Sequence, residues 1–321
     1  MANEYTLADY ELTATPLTRA VVRTWREASA ILDMLKFKTT NNLTEEGIRF
    51  NNLPTAVWRK IGEAFTQLKT IPDPWKERVH FMGGKIDIAR EYVKAASIVD
   101  NRAAQTEAVL KAIAFGFNDA FFNNTPSTDE DAIIGLFHRI GNDMGANQLM
   151  DAGLDVSPDT AVTSWQHKLL DKVEELLDRV DGMPSEKVLF MGRTLYFRTQ
   201  SALRSSSLLA TTKDQIGRQF MTIGEGGAKI VQAGYKVDQS TQILGDVETS
   251  YTALTGGALS SMYCVRFGEP YLAGWAQEMP NAEDKGELED GVSVRTIVRF
   301  SPGLYIASPR AIARAYGWTA A

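Results

Sequence analysis

The sequence predicts a mixed α/β protein in which one long helix is flanked by extended segments and two appendages need neighbouring surfaces. Three observations carry this. Leu110, Ile113, Ala114, Phe117, Ala120 and Phe121 recur at three- and four-residue spacing between Asn101 and Asn123, which places them on one face of a helix. Val292, Val294, Thr296, Val298 and Phe300 alternate with Ser293, Arg295, Ile297 and Arg299, the period of a half-buried strand. Residues 36–69 hold aromatic and apolar side chains with neither period running through them. They predict a long projecting segment that buries its apolar groups on another surface.

In chain order, residues 1–15 are polar with scattered apolar side chains and predict an arm. Thr15-Pro16-Leu17 marks a helix start, with Thr15 as the cap and Pro16 in the first turn. Ala20, Val21, Trp25, Ala28, Ile31 and Leu32 form its apolar stripe, and Arg19, Arg23 and Arg26 lie away from it, so the arm needs a partner surface. Phe37-Lys38-Thr39 and Ile48-Arg49-Phe50 alternate on either side of the polar cluster 41–47, which predicts a hairpin. Pro54 keeps residues 53–59 extended, and Pro72-Asp73-Pro74 breaks the chain. Residues 79–88 predict a strand, a turn at Gly83-Gly84 and a second short strand. Asn101 is the expected cap of the long helix and Pro126 its stop, with Lys111 and Asp119 on the face away from the stripe.

Residues 133–140 predict a short helix closed by Gly141. Ser157, Pro158 and Asp159 start another, with Val162, Trp165, Leu169, Val173, Leu176 and Val180 as its stripe and Gly182 as its stop. A strand at 187–191 and a helix at 193–206 complete an α/β lobe that begins near residue 150. Between 219 and 268 the chain reads as β at 229–231, 235–237, 242–244 and 261–267. Residues 278–291 predict an acidic loop, Pro302-Gly303 a turn, and Ser308-Pro309 the start of a last helix over 310–316, closed by Gly317.

Composition narrows the chemistry. With 44% apolar and 23% charged side chains in 321 residues, the chain is long enough and ordinary enough to bury a core. A net charge of -6 argues against a dedicated nucleic-acid grip. One cysteine, Cys264, excludes an internal disulfide framework and a multi-cysteine zinc site. Met1-Ala2-Asn3-Glu4 has neither the basic nor the apolar region of a signal peptide, and no apolar run approaches the roughly 20 residues needed to cross a bilayer. A reducing, aqueous compartment is expected. Gly224-Glu225-Gly226-Gly227-Ala228-Lys229 lacks the Gly-Lys-Ser/Thr ending that holds phosphate and magnesium, so it reads as a turn. His80, His138 and His167 have no partner at metal-ligand spacing, and no Gly-x-Ser-x-Gly elbow occurs. Cys264, between Tyr263 and Val265, reads as a buried thiol. No catalytic set emerges, and the arm and projecting loop point to self-assembly.

The order of segments also resembles a known family. Pro16-Leu17-Thr18-Arg19-Ala20-Val21 precedes Arg49-Phe50-Asn51 and Leu53-Pro54-Thr55. Then come Gly83-Gly84-Lys85-Ile86-Asp87-Ile88-Ala89-Arg90, Gln105, Phe122-Asn123-Asn124, Gly135-Leu136 and the run from Pro309 to Gly317. This resembles the tailed-bacteriophage major capsid proteins with the Hong Kong 97-type shell fold, over nearly the whole chain. The resemblance implies an α+β Hong Kong 97-like capsid fold: an N-terminal arm (1–33), an extended β-hairpin loop lying across a neighbouring subunit (34–72), a peripheral domain (73–150 and 268–303) with spine helix 101–123, and an axial domain (151–267 and 304–321).

It implies a non-enzymatic subunit, without cofactor or metal, that self-assembles through hexamers and pentamers into an icosahedral shell around a phage dsDNA genome. Its further partners would be a portal, scaffolding or decoration proteins, and packaged DNA in non-specific contact, with no membrane. Its place would be the virion, after synthesis in the host cytoplasm. The alternatives are an encapsulin-like cellular nanocompartment shell and a soluble α/β enzyme using the 150–270 lobe. Trp25, Phe37, Phe50 and Trp58 are the expected inter-subunit anchors, because aromatic side chains dominate interface energetics. Arg19, Arg23, Arg26, Arg49 and Arg59 are expected to pair with carboxylates of adjacent subunits.

Overall fold

The computed structural model describes residues 4–50, 54–89, 101–144, 146–156, 165–213, 219–245, 259–289 and 291–319. Tyr5–Thr6 (β1) leads into Leu7–Thr13 (α1), inside the stretch expected to be an arm. Its start is fixed reciprocally: the Asp9 amide donates to the Thr6 hydroxyl at 3.3 Å and the Thr6 amide to the Asp9 carboxylate at 3.0 Å. The helix expected from Thr15 and Pro16 is present as Pro16–Ala28 (α2), with the Thr15 hydroxyl accepting from the Thr18 amide. Ser29 ends it and caps Ala30–Met34 (α3), and Lys36–Thr39 (β2) follows.

The hairpin forms, with different strands. Thr44–Arg49 (β3) pairs antiparallel with Asp73–Arg78 (β4), not with the Phe37 segment. Half of the expected polar turn 41–47 is therefore strand, and Pro72-Asp73-Pro74 enters a strand instead of breaking one. Pro74 is tolerated because this sheet has two strands and its missing amide can face solvent. Met82–Ala89 (β5) runs straight through Gly83-Gly84 without turning. Gly83 is there for close approach, since a Cβ would run into the Val298 carbonyl oxygen on the adjoining strand.

Asn101–Asn123 (α4) has the predicted span. Leu110, Ala114, Phe117, Phe121 and Phe122 are buried on it, while Lys111 is exposed and pairs with Glu107 at 2.6 Å. Asp119 is half-buried and engaged by Lys236 at 3.2 Å, not turned to solvent. Leu136–Asn142 (α5) takes the place of the helix expected at 133–140, with Gly141 inside it.

The lobe after residue 149 is built from Leu149–Asp155 (β6), Trp165–Asp178 (α6), Lys187–Met191 (β7), Arg193–Ser205 (α7), Leu209–Lys213 (β8), Gln219–Ile223 (β9), Lys229–Gln232 (β10) and Leu259–Arg266 (β11). Leu169, Val173, Leu176 and Val180 are buried as the α6 spacing requires. Residues 235–237 and 242–244 form only an isolated bridge between Tyr235 and Gln242. Expectations on the side chain of Asn101, on Ser157, Pro158, Asp159 and Val162, and on Arg90 lie outside the described residues.

The last part of the chain departs most from expectation. After Leu272–Ala276 (β12), the acidic 278–291 stretch contains a strand, Asn281–Glu287 (β13), paired with Ser293–Phe300 (β14). Pro302-Gly303 begins a strand, Pro302–Ile306 (β15), buried throughout. Ser308 and Pro309 start a helical turn that stops at Ala311. The expected helix 310–316 is instead Ile312–Thr319 (β16), between β6 and β11.

These strands make four sheets. One has seven strands in the order β6-β16-β11-β7-β10-β9-β8; a second runs β1-β2-β12-β15, a third β13-β14-β5, and the fourth is the β3-β4 hairpin. Alternation sorts the seven-stranded sheet into two faces. Leu189, Met191, Met262, Cys264, Ala313 and Ala315 face α6 and α7 in one apolar cluster. Val188, Phe190, Tyr263, Val265 and Ile312 face the other cluster, which includes α4 and the third sheet. The joint is aromatic: Phe122 lies 5.5 Å from Phe190 and 5.3 Å from Tyr263, and Phe121 lies 6.5 Å from Phe267.

The Phe122→Ala substitution is expected to lower subunit stability by about 3–5 kcal/mol. Lys111→Ala, at an exposed site, is expected to stay within about 0.5 kcal/mol. Urea unfolding of both variants checks this; equal midpoints would contradict the role given to the joint.

Candidate subunit-interface site

The projecting loop is rooted rigidly. In β4, Trp75 stacks on Tyr305 of β15 with ring centroids 5.2 Å apart, and Val79 packs with Trp275 and Tyr305 in a small cluster. Gly47, opposite Trp75, leaves room for the indole, with which any Cβ would collide. Next to Trp75's neighbour Lys76, Glu77 reaches inward to Arg139 of α5. The Arg139 guanidinium grips both carboxylate oxygens, the second at 3.0 Å, and also donates to the Leu304 carbonyl at 3.2 Å. Arg139 is buried, so this pair is a desolvated, bidentate clamp between loop root and body. His80 is buried beside it, its amide donating to the Pro302 carbonyl and its Nδ1 to the Asp131 carbonyl at 2.8 Å. Burial holds the His80 pKa below its usual value.

Beyond that root the loop turns its apolar side chains outward. Trp58 is 98% exposed and Phe65 82%, and Val57, Ile61, Leu68 and Ile71 are exposed too. The tip has local order: Arg59 lies over the Phe65 ring at 4.1 Å and donates to the Glu63 carbonyl, and the Lys60 amide donates to the Glu63 carboxylate. Apart from Arg59 over Phe65, the described residues leave these side chains open to solvent. Fully burying each such side chain is worth roughly 1.5–3 kcal/mol, so the tip holds a large unused driving force for association.

The sequence-predicted contact residues divide into three groups. Phe50, Trp58 and Arg59 are exposed on or next to the loop. Arg19 and Arg23 are exposed on α2 and already engaged, Arg19 with the Glu11 and Ala14 carbonyls and Arg23 with Glu27 at 3.1 Å. Arg49 is half-buried and spans the hairpin to Asp73 at 2.7 Å, so it shapes the loop. Trp25, Phe37 and Arg26 are corrections, because the arm's partner surface lies in its own subunit. α2 packs on α4 and β13, and Trp25 and Phe37 each lie 5.5 Å from Phe300, fully buried. Arg26 is buried between Asp33 at 2.6 Å and Glu11 at 2.5 Å. Burial alone would lower its pKa, but the two carboxylates outweigh it and hold the guanidinium charged. Val57, Ile61, Phe65, Leu68 and Ile71 are the exposed residues that sequence reasoning did not single out. Their signal was the apolar content of a stretch without a period.

Cys264 is fully buried and its thiol is pushed up to about 12 by burial. Among the described residues no three His, Cys, Asp or Glu side chains gather in a metal-binding arrangement.

Removing one half of the loop clamp, as in Glu77→Ala, is expected to cost about 3–5 kcal/mol because Arg139 is left charged and buried. The Glu77→Leu/Arg139→Met pair is expected to recover most of it, as read by urea unfolding. The high thiol pKa predicts that a thiol reagent at pH 8 labels the folded subunit far more slowly than the urea-unfolded chain. Equal rates would place Cys264 at the surface.

The chain matches no protein-family model and no curated protein. Solved structures do match. The SrpI encapsulin complex of Synechococcus elongatus PCC 7942 aligns with a TM-score of 0.59 at 14% identity, over 100% of this chain and 97% of that one. The capsid of the native GTA particle aligns with a TM-score of 0.59 at 12% identity, over 92% and 91%. A structure of Mycobacterium phage Bobi aligns with a TM-score of 0.54 at 13% identity, over 89% of each chain. Whole-length agreement at such low identity carries the architecture rather than the residues. The chain, with its arm, rooted hairpin loop, spine helix and seven-stranded lobe, has the Hong Kong 97-type capsid fold.

Proposed function

We propose that this chain is a phage major capsid protein, a subunit that assembles with copies of itself through hexamers and pentamers into the shell around a dsDNA genome. The observation that carries this reading is the loop tip. A rigidly rooted hairpin presents a row of bare apolar side chains, the mark of a surface built to be covered, and a second copy of the chain is the partner this reading gives it. The domain division proposed with it is arm 1–33, extended loop 34–72, a peripheral domain from 73–150 and 268–303, and an axial domain from 151–267 and 304–321. Sheet membership favours moving three edges, since β2 pairs with β1 and β12 in the body of the subunit, β6 begins at Leu149 and β15 pairs with β12.

The subunit has no enzymatic role on this reading. Its buried, high-pKa Cys264 is unsuited to nucleophilic attack. The net charge of -6 fits a container that confines DNA through non-specific contacts. A portal and scaffolding or decoration proteins would be the remaining partners, and the virion, after assembly in the host cytoplasm, the final location. A second reading, a nanocompartment shell around protein cargo, is favoured by the encapsulin alignment, which takes in the whole of this chain.

Negative-stain microscopy of the concentrated protein is expected to show closed shells. A compact monomer under all assembly conditions would sink both readings, and co-purifying DNA or a cargo enzyme separates them. Replacing 54–71 with a short Gly-Ser turn is expected to abolish assembly while leaving the urea midpoint of the subunit unchanged. A lost unfolding transition would instead make the loop part of the core.

A further inference from the structure

The helix layer on the axial lobe carries two charged stripes of opposite sign at its two ends. α6 lies against β6 and β16, at one end of the seven-stranded sheet, and α7 lies against β10 and β8, at the other. On α6, Asp171, Glu174 and Asp178 fall at i, i+3 and i+7, so they share one exposed face, away from buried Leu169, Val173 and Leu176. The remaining acidic residue of that helix, Glu175, is held by Lys172 at 2.7 Å and Arg179 at 3.1 Å. Asp171, Glu174 and Asp178 have no ion-pair partner among the described residues.

On α7, Arg193, Phe197 and Arg204 fall at i, i+4 and i+11 and share one exposed stripe, with Arg198 half-buried on its flank. Phe197 is half-exposed beneath the Arg193 guanidinium, 5.8 Å from its ring centroid. Arg193 also donates to the Tyr235 hydroxyl at 3.3 Å. Arg198 and Arg204 have no ion-pair partner among the described residues.

Symmetry decides what these stripes can meet. Either stripe set against its own copy places like charges together, which disfavours a two-fold contact. The α7 stripe set against the α6 stripe of the next copy pairs opposite signs and covers Phe197. Because the stripes sit at different ends of one layer, that contact is head to tail, the kind that propagates around an axis and closes into a ring. We propose that neighbouring axial lobes in a capsomer meet in this way, with Arg193, Arg198 and Arg204 of one copy facing Asp171, Glu174 and Asp178 of the next. The occupant of each stripe is a second copy of this chain, and the inference rests on the shell reading above.

Charge reversal tests it. Arg198→Glu/Arg204→Glu and Glu174→Lys/Asp178→Lys are each expected to raise the protein concentration needed for assembly at least tenfold, read by light scattering. Wild-type urea midpoints confirm that the variants fold. The combined four-fold swap is expected to restore assembly. A disulfide test gives orientation. The Glu174→Cys/Arg204→Cys variant is expected to form a ladder of covalent oligomers on oxidation of assembled particles, with buried Cys264 silent. Reversal variants that assemble as the wild type does, a swap that fails to rescue, or cross-linking that stops at dimers would each overturn the proposal. Absence of wild-type shells would be a failure of the shell reading itself and is seen before any variant is made.

Discussion

Phe121 and Phe122, adjacent near the end of α4, hold the two halves of the subunit together. Neighbouring positions on a helix point about 100° apart, so one ring can meet Phe267 while the other enters between Phe190 and Tyr263. The second ring works because β7 alternates: Val188 and Phe190 face α4, and Leu189 and Met191 face α6 and α7. A single strand thereby closes two apolar clusters, and the spine helix is fixed to the axial lobe without any polar contact of high cost. Asn123 finishes the joint, its amide donating to Asp119 and to the Ile243 carbonyl.

A stiff body makes a projecting loop useful. An extended hairpin on a soft root would lose conformational entropy each time it bound a neighbour. Here the root is fixed by the Trp75–Tyr305 stack, the Glu77–Arg139 clamp and the Arg49–Asp73 pair. Buried ion pairs are poor sources of stability because desolvation offsets the attraction. In this position the directionality of a bidentate pair is the gain, since it sets the angle at which the loop leaves the subunit. In the proposed assembly the apolar tip would supply association energy, and the charged stripes on α6 and α7 would supply orientation. Many modest contacts suffice for a closed assembly, because each subunit is held at several points at once.

The sequence by itself determined the elements whose signal is local. Helices α2, α4, α6 and α7 and strands β7 and β14 follow from spacing and caps, and the structure keeps them at or near the predicted positions. Even the arginines of α2 were placed by periodicity, though Arg26 proved to be buried: periodicity names a face and cannot say what covers it. Trp25 and Phe37 looked like anchors for a neighbour because aromatic side chains dominate interfaces, and residue type does not say whether the partner lies in the same subunit. Their partner, Phe300, lies more than 260 positions away.

Tertiary structure alone decided the strands that exist by virtue of their partners. Residues 310–316 carry good helix formers and a helix start, yet Ile312, Ala313 and Ala315 lie fully buried in a strand between β6 and β11. Ladder hydrogen bonds and burial on both faces outweigh a propensity difference of well under 1 kcal/mol per residue. Pro302-Gly303 and the acidic 281–287 stretch became strands in the same way, paired with β12 and β14. Helix signals are written within a few residues of each other, so one sequence reveals them. A strand's hydrogen bonds go to segments far along the chain, and only the folded subunit says which ones.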